Sequence, residues 1–273
     1  MNENILIVKF GGAALATPSD IEKISEIILL KKTIYKNVVV VLSAMGNTTN
    51  NLIDLAKEIH PNPPEREYDM LVTSGERISI SLLAMALAKR GENAKSFTGS
   101  QSGIITTDVH SNAEIVDVRP HRLLSAIQEG SVVIVAGFQG VSLKGEITTL
   151  GRGGSDTTAV ALAVALNASK VEFYKDVCGI YDKDPKLNPS ASLFLELSYE
   201  QAIQIISAGA KVLHQRSLLL AQKNGIVLHV KSFVDKTSLG TIIGLNEKSM
   251  NSEPVYELEL DLCECGLSKI SRV

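Results

Sequence analysis

The sequence predicts an α/β domain built on buried parallel strands. An apolar run, Ile5 to Val8, is followed at once by a glycine turn and a helix start. A glycine-rich run, Thr148 to Thr158, feeds directly into an apolar helix-like segment, Ala159 to Leu166. The chain of 273 residues with 45% hydrophobic content is long enough for one large core, and no interior stretch reads as a domain linker. One domain with two lobes is the expectation.

The elements follow in chain order. Ile5-Leu-Ile-Val8 reads as a buried parallel strand because it is continuously apolar and bounded by Lys9-Phe10-Gly11-Gly12. Thr17-Pro18-Ser19-Asp20 opens a helix, with Thr17 as N-cap, Pro18 at the first helical position, and Ile21, Ile24 and Ile28 on one face. Val38 to Leu42 reads as the next strand, and the proline-rich His60 to Pro64 is the clearest breaker, expected to be a mobile segment over the substrate side. Ser79 to Lys89 reads as a helix, Ser131 to Phe138 as a buried strand, and Val141 to Thr148 as a hairpin turning at Lys144-Gly145. Val171 to Tyr174 reads as a further strand. Near the end, Tyr256, Leu258, Leu260 and Leu262 alternate with Glu257, Glu259 and Asp261, the pattern of a half-buried strand.

The run Thr148-Thr-Leu-Gly-Arg-Gly-Gly-Ser-Asp-Thr-Thr158 reads as an anion site. Gly151, Gly153 and Gly154 let backbone N–H groups approach a ligand, and Ser155 or Asp156 is a candidate cap for the helix that follows. A helix start behind such a loop attracts phosphate through unpaired N–H groups and the helix dipole. A plain glycine turn with a cap is the alternative, but it leaves the clustering of Arg152, Ser155 and Asp156 unexplained. At the carboxyl end of its strand, Lys9 would point its ammonium into the crevice where open sheets hold ligands; read alone, an ordinary surface lysine beside a turn is the favoured reading.

Other classes are excluded. Neither GRGGSD nor KFGG satisfies the P-loop or the dinucleotide-binding glycine fingerprint, and the protein-kinase signature set is absent. A net charge of −3 gives no footprint for nucleic acid. The sequence shows no signal peptide, no internal repeat and no apolar run read as long enough to span a membrane. The 3 cysteines make no disulfide framework, which points to a reducing cytoplasm, and Cys263-Glu-Cys265 is a weak metal motif. His60, His110, His121, His214 and His229 are scattered, and none is placed as a base or ligand.

Several separated motifs occur together in order: Lys9-Phe-Gly-Gly12, Ser74-Gly-Glu76, Thr149-Leu-Gly-Arg-Gly-Gly-Ser-Asp156, Lys175-Asp-Val-Cys-Gly-Ile-Tyr181 with Asp184-Pro185, and Ala210-Lys-Val-Leu-His214. From about Ile5 to about Gly244 the chain resembles the catalytic domain of the aspartokinases, within the amino acid kinase superfamily. The resemblance implies a three-layer α/β/α sandwich around a mostly parallel sheet. It implies residues 1–245 as the kinase domain, binding the amino acid toward its N-terminal part and ATP toward its C-terminal part. It further implies transfer of phosphate from MgATP to the side-chain carboxylate of L-aspartate, feeding the lysine, threonine and methionine branch or a specialised product.

The roles implied for single residues come from the same resemblance. Lys9, Asp156 and Lys211 match the family's catalytic positions, and Ser43, Thr49, Glu76, Arg152 and Ser155 its substrate contacts. Glu76 suits an ammonium and Arg152 an α-carboxylate, which favours an unblocked amino acid. Gly11, Gly12, Gly153 and Gly154 match phosphate-contacting turns, and Lys175, Asp176, Tyr181 and Lys186 fall in the nucleotide segment. Lys175 stands where many relatives have a small hydroxyl residue, and Ala13-Ala14 where they have Thr-Ser. No protein-only metal site is expected.

Relatives continue into ACT regulatory domains, whereas only residues 246–273 follow here, which gives the expectation of a kinase without its own feedback control or one regulated by a separate chain. The resemblance also implies a homodimer, with Ser79 to Lys89 as the candidate face. A kinase for another small acid, and a non-catalytic nucleotide-binding partner, remain open on sequence.

Overall fold

The computed structural model describes residues 2–185, 187–245 and 253–258. In chain order the elements are β1 (Asn2–Phe10), α1 (Pro18–Lys32), β2 (Asn37–Leu42), α2 (Thr48–Ile59), α3 (Glu65–Val72), α4 (Ser74–Lys89), β3 (Ala94–Phe97), β4 (Ile104–Thr106), β5 (Ile115–Val118), α5 (His121–Gln128), β6 (Val132–Ala136), β7 (Gln139–Ser142), β8 (Ile147–Thr149), α6 (Gly154–Ala165), β9 (Ala168–Lys175), β10 (Glu196–Leu197), α7 (Tyr199–Ser207), α8 (Gln215–Asn224), β11 (Val227–Ser232) and β12 (Thr241–Ile243). An 8-stranded sheet runs β10-β12-β11-β9-β1-β2-β6-β3, and a 4-stranded sheet runs β5-β4-β7-β8. From β11 to β3 every neighbouring pair in the large sheet is parallel, while β12 lies antiparallel to β11.

Strand alternation sorts the core into two layers. Ile5 and Ile7 of β1, with Val171 and Phe173 of β9, pack under α6 and α8, whereas Leu6, Val8 and Phe10 pack under α1 and α4. This makes the three-layer α/β/α sandwich with a mostly parallel sheet. α6 lies in the middle of its layer, with every residue from Gly154 to Val164 buried. Each fully buried Val or Leu there contributes about 1.5–3 kcal/mol, so the helix start is anchored by the core behind it.

The entry to α1 is capped as its sequence indicates. Thr17 Oγ1 accepts from the Asp20 N–H at 3.3 Å and the Asp20 carboxylate accepts from the Thr17 N–H at 3.1 Å, a capping box with Pro18 at the helix start. The hairpin at Lys144-Gly145 also forms, between β7 and β8, with Gly145 at φ 85°.

Four expectations are corrected. The helix read at Ser79 starts at Ser74, because Gly75 lets it pack closely: a Cβ there would sit 2.9 Å from the Ala44 Cβ. The strand read over Ser131 to Phe138 ends at Ala136, since Phe138 turns out of it at φ 71°. The glycine loop carries its own cap: Gly153, at φ 74°, is the N-cap of α6, and neither Ser155 nor Asp156 caps it. By length and composition the helical stretch Glu65–Lys89 is long and apolar enough to cross a membrane. The stretch falls on α3 and α4, where Val72, Leu83 and Leu87 are fully buried and the charged Asp69 and Glu76 are buried with them.

The strand read between Tyr256 and Leu262 falls mostly outside the described residues, and its described part, 256–258, is not a strand. There the Glu257 N–H donates to the Ile115 carbonyl at 3.0 Å, and Glu257 pairs with Arg216 at 2.6 Å. Lys186, Cys263 and Cys265 also lie outside the described residues.

Candidate active site

The site forms at the carboxyl ends of the central parallel strands, where the following loops diverge. Lys9 lies on the same face of β1 as Ile5 and Ile7, so its side chain runs toward the first turn of α6. There Lys9 Nζ meets Asp156 Oδ1 at 2.6 Å, with both side chains almost fully buried. Lys175, on the same face at the end of β9, reaches Asp156 Oδ2 at 3.1 Å. Burial alone would raise the Asp156 pKa, but Lys9 and then Lys175 outweigh it and hold the carboxyl at about 2. Burial pushes Lys9 below its usual value, Asp156 pulls it back and Lys175 adds to the lowering. The triad of Lys9, Asp156 and Lys175 therefore carries one net positive charge beneath a helix N-terminus, an arrangement suited to phosphate.

Two cavities meet at this triad. The first, about 280 Å³, is lined by Lys9, Ser43, Thr49, Glu76, Phe138, Gly151 and Gly153 to Asp156. The second, about 470 Å³, is lined by Lys175 and the segment from Gly209 to Gln215, including Lys211. Gly153 and Asp156 belong to both walls. A molecule in each cavity would thus meet the other at Asp156.

Glu76 is the unusual charge of the first cavity. It is 3% exposed; Oε1 accepts from the Ala44 N–H at 3.1 Å, and Oε2 has no partner among the described residues. Burial raises its pKa to about 7, against the lowering from the Ala44 hydrogen bond. A buried carboxylate with one vacant oxygen, facing a polar cavity, suits a ligand cation.

The remaining sequence-derived residues fall into three groups. Ser43, Thr49 and Ser155 line the first cavity. Arg152 is exposed beside it, between two lining glycines. Gly11 and Gly12 line neither cavity: Gly12 supports the β2–α2 loop, where a Cβ would come 2.9 Å from the Ala44 carbonyl, and a Cβ on Gly11 would face Lys9 Nζ at 3.7 Å. Tyr181 pairs with Leu193 in an isolated bridge, away from both cavity walls, and Asp176 also lies off those walls.

Phe138 is a site residue that sequence reasoning passed over, and His214, which ends a motif but was given no role, also lies at the site. Phe138 enters the first cavity because its positive φ throws the side chain off the strand direction. His214 caps α8, its Nδ1 accepting from the Arg216 N–H at 3.4 Å, and its ring abuts Gly153. Nothing in the local sequence of Phe138 signals its turn, whereas the pairing of Gly153 with His214 is a tertiary contact. A Cβ on Gly153 would fall 2.1 Å from the His214 ring, at a φ that disfavours side chains. Gly153→Ala is expected to cost more than about 1 kcal/mol and to lower nucleotide affinity, checked by thermal denaturation and by ATP titration.

The comparisons with known proteins bear on the family and the fold. The model of the Amino acid kinase family matches residues 4–232. The chain belongs to the amino acid kinase family. Within that family it is similar to the aspartokinase of Mycolicibacterium smegmatis, 49% identical over 241 residues, covering 88% of this chain and 57% of that protein. It is likewise similar to the aspartokinase of Corynebacterium glutamicum, 47% identical over 257 residues, covering 94% of this chain and 60% of that protein. Among solved structures, E. coli aspartokinase III in complex with aspartate and ADP aligns with a TM-score of 0.79 at 31% identity, covering 88% of this chain and 64% of that chain. The chain thus spans less than two thirds of the length of these relatives.

Proposed function

We propose that this chain carries an ATP-dependent aspartate kinase activity, transferring the γ-phosphoryl group to the side-chain carboxylate of L-aspartate. The observation that supports it most is the shared wall: Asp156, paired with Lys9, lines both cavities, and Glu76 lines the first. The amino acid occupies the first cavity, its ammonium on Glu76 and its α-carboxylate on Arg152. The nucleotide occupies the second, near Lys175 and Lys211.

The acceptor carboxylate is already ionised at neutral pH, so no base has to remove a proton. The obstacle is repulsion between that carboxylate and the polyphosphate, and the protein answers it with position and positive charge. Lys9 supplies charge at the transferring phosphate while Asp156 fixes its direction. The N–H groups at the start of α6 meet the phosphate oxygens, and the core behind this helix keeps them from reorganising.

Among the described residues no group of three or more His, Cys, Asp or Glu gathers in one place. Both Asp156 oxygens are taken up by Lys9 and Lys175, so Mg²⁺ would be held chiefly by the phosphates; when bound, it would neutralise phosphate charge. We also place the protein in a reducing cytoplasm, consistent with the free thiol of Cys178, and as a homodimer across α4, where Ile78 and Met85 are 50% and 66% exposed.

Glu76 sets the pH dependence. With its pKa raised to about 7, the free protein holds it neutral at lower pH, where it cannot attract an ammonium. Affinity for aspartate is expected to fall by nearly tenfold per pH unit below about 7, while ATP affinity changes little. Because the folded-state pKa is raised, this group favours folding at low pH, and its contribution is lost as pH rises through about 7. Aspartate is therefore expected to raise Tm more at pH 8 than at pH 6.

ADP release tested across L-aspartate, L-glutamate and N-acetyl-L-aspartate separates the readings. Turnover with free aspartate and none with the acetylated acid is expected. Turnover with the acetylated acid alone would remove Glu76 from the substrate site and replace this reading with that of another acid kinase.

A further inference from the structure

Asp69, on α3, is a carboxylate that no step of the phosphoryl transfer uses. It is fully buried, yet it lies on an element that contributes nothing to either cavity wall. Its hydrogen bonds run to the start of the glycine loop and to the segment over it. Thr149 donates its N–H to Oδ2 at 3.1 Å and its hydroxyl to Oδ1 at 2.7 Å. Ser111 donates its N–H at 3.0 Å to Oδ2, and His110 Nδ1 lies 2.9 Å from the same oxygen. The Ala113 N–H then closes the frame on the Thr149 carbonyl at 2.8 Å.

This frame sits directly on the loop. Ser111 takes φ 62°, a left-handed conformation that a serine adopts only when its surroundings hold it. In that position its carbonyl and the Asn112 side chain close over Gly151: a Cβ there would meet Asn112 Oδ1 at 2.8 Å and the Ser111 carbonyl at 3.1 Å. Arg152 is the next residue, and it is exposed. The other tie between α3 and this lobe, Arg66 to Glu146, joins half-exposed side chains and contributes little. The buried carboxylate is the stronger constraint, because its donors would be left unsatisfied without it.

We infer that Asp69 is a positioning residue that sets the direction of Arg152, and through it the affinity for the amino acid substrate, by holding Thr149 and Ser111 on either side of the loop. The inference rests on the aspartate reading given above. Gly153, which also lines the second cavity, and Gly154 are held independently by His214 and by the core behind α6. Loss of the brace therefore acts on the amino acid and spares the nucleotide.

Asp69→Asn tests this directly, because either orientation of the amide turns an NH₂ toward a backbone N–H of Ser111 or Thr149. Thr149→Val is the gentler variant, removing only the hydroxyl bond, and Thr149→Ser restores it. Steady-state kinetics in both substrates, and hydrogen exchange of the Gly151 to Gly154 amides in the free protein, are the readouts. KM for aspartate is expected to rise about tenfold or more in Asp69→Asn and severalfold in Thr149→Val. KM for ATP stays within about twofold, the Gly151 and Arg152 amides exchange faster, and Thr149→Ser behaves as the parent. If Asp69→Asn does not fold, the Thr149 pair alone decides. An unchanged aspartate KM in Thr149→Val, or an equal rise in both KM values, overturns the brace while leaving the kinase reading intact. A parent protein that turns over ATP with no aspartate dependence overturns the kinase reading and, with it, this assignment.

Discussion

Replacing Lys9 by methionine is expected to lower kcat by about 10³-fold or more, with the fold preserved. Methionine is one atom shorter than lysine, is uncharged and fills most of the same buried space. Asp156 keeps Lys175 at 3.1 Å, so the substitution does not leave a buried carboxylate alone. What disappears is the positive charge that lies at the junction of the two cavities. Because this charge acts on the transferring phosphate, the loss should appear in kcat and in kcat/KM together rather than in KM. Circular dichroism and ATP binding serve as controls for folding, and rapid-quench measurement of a single turnover isolates the chemical step. Activity within a few-fold of the parent would take Lys9 out of the catalytic role.

Glu76→Gln is expected to raise KM for aspartate by about 100-fold, leaving KM for ATP unchanged, because an ionic hydrogen bond to a buried ammonium contributes about 2–3 kcal/mol. The same substitution should stabilise the free protein. The carboxylate is buried with Oε2 unpartnered, and its ionisation near neutral pH is opposed by burial. Glutamine keeps an acceptor for the Ala44 N–H and removes the charge, so Tm of the ligand-free variant at pH 8 should exceed that of the parent. Affinity and stability thus move in opposite directions, which a residue placed for packing would not produce. A lower Tm with an unchanged aspartate KM would assign Glu76 to structure instead.

The central strands and the α1 entry were legible because their signals are local. Ile5 to Val8 is apolar without interruption, and Thr17-Pro18 with Asp20 is a capping pattern readable from adjacent residues. Lys9, Ser43, Thr49, Glu76, Ser155 and Asp156 could be named from ordered motifs, and the fold gathers them around one cavity. The convergence itself is a property of parallel strands, whose carboxyl ends all open on the same side. Less legible was anything that depends on contact across the sequence. The cap of α6 was assigned to Ser155 or Asp156, but Asp156 is taken up by two lysines from separate strands and Gly153 does the turning. Lys175 read as a departure from the family pattern; in the fold it is the second cation on Asp156. Phe138 and Asp69 carry no local signature, and the role of His214 is not in its motif, since each gains its role from a partner at least twenty residues away or from a backbone turn.

The most direct measurement is to trap the acyl phosphate with hydroxylamine in the presence of MgATP and each acid of the panel. The expected result is a hydroxamate of the side-chain carboxylate with L-aspartate, formed in step with ADP and abolished in Lys9→Met. ADP formed without hydroxamate, or no product with any acid, would contradict a phosphoryl transfer to carboxylate at this site.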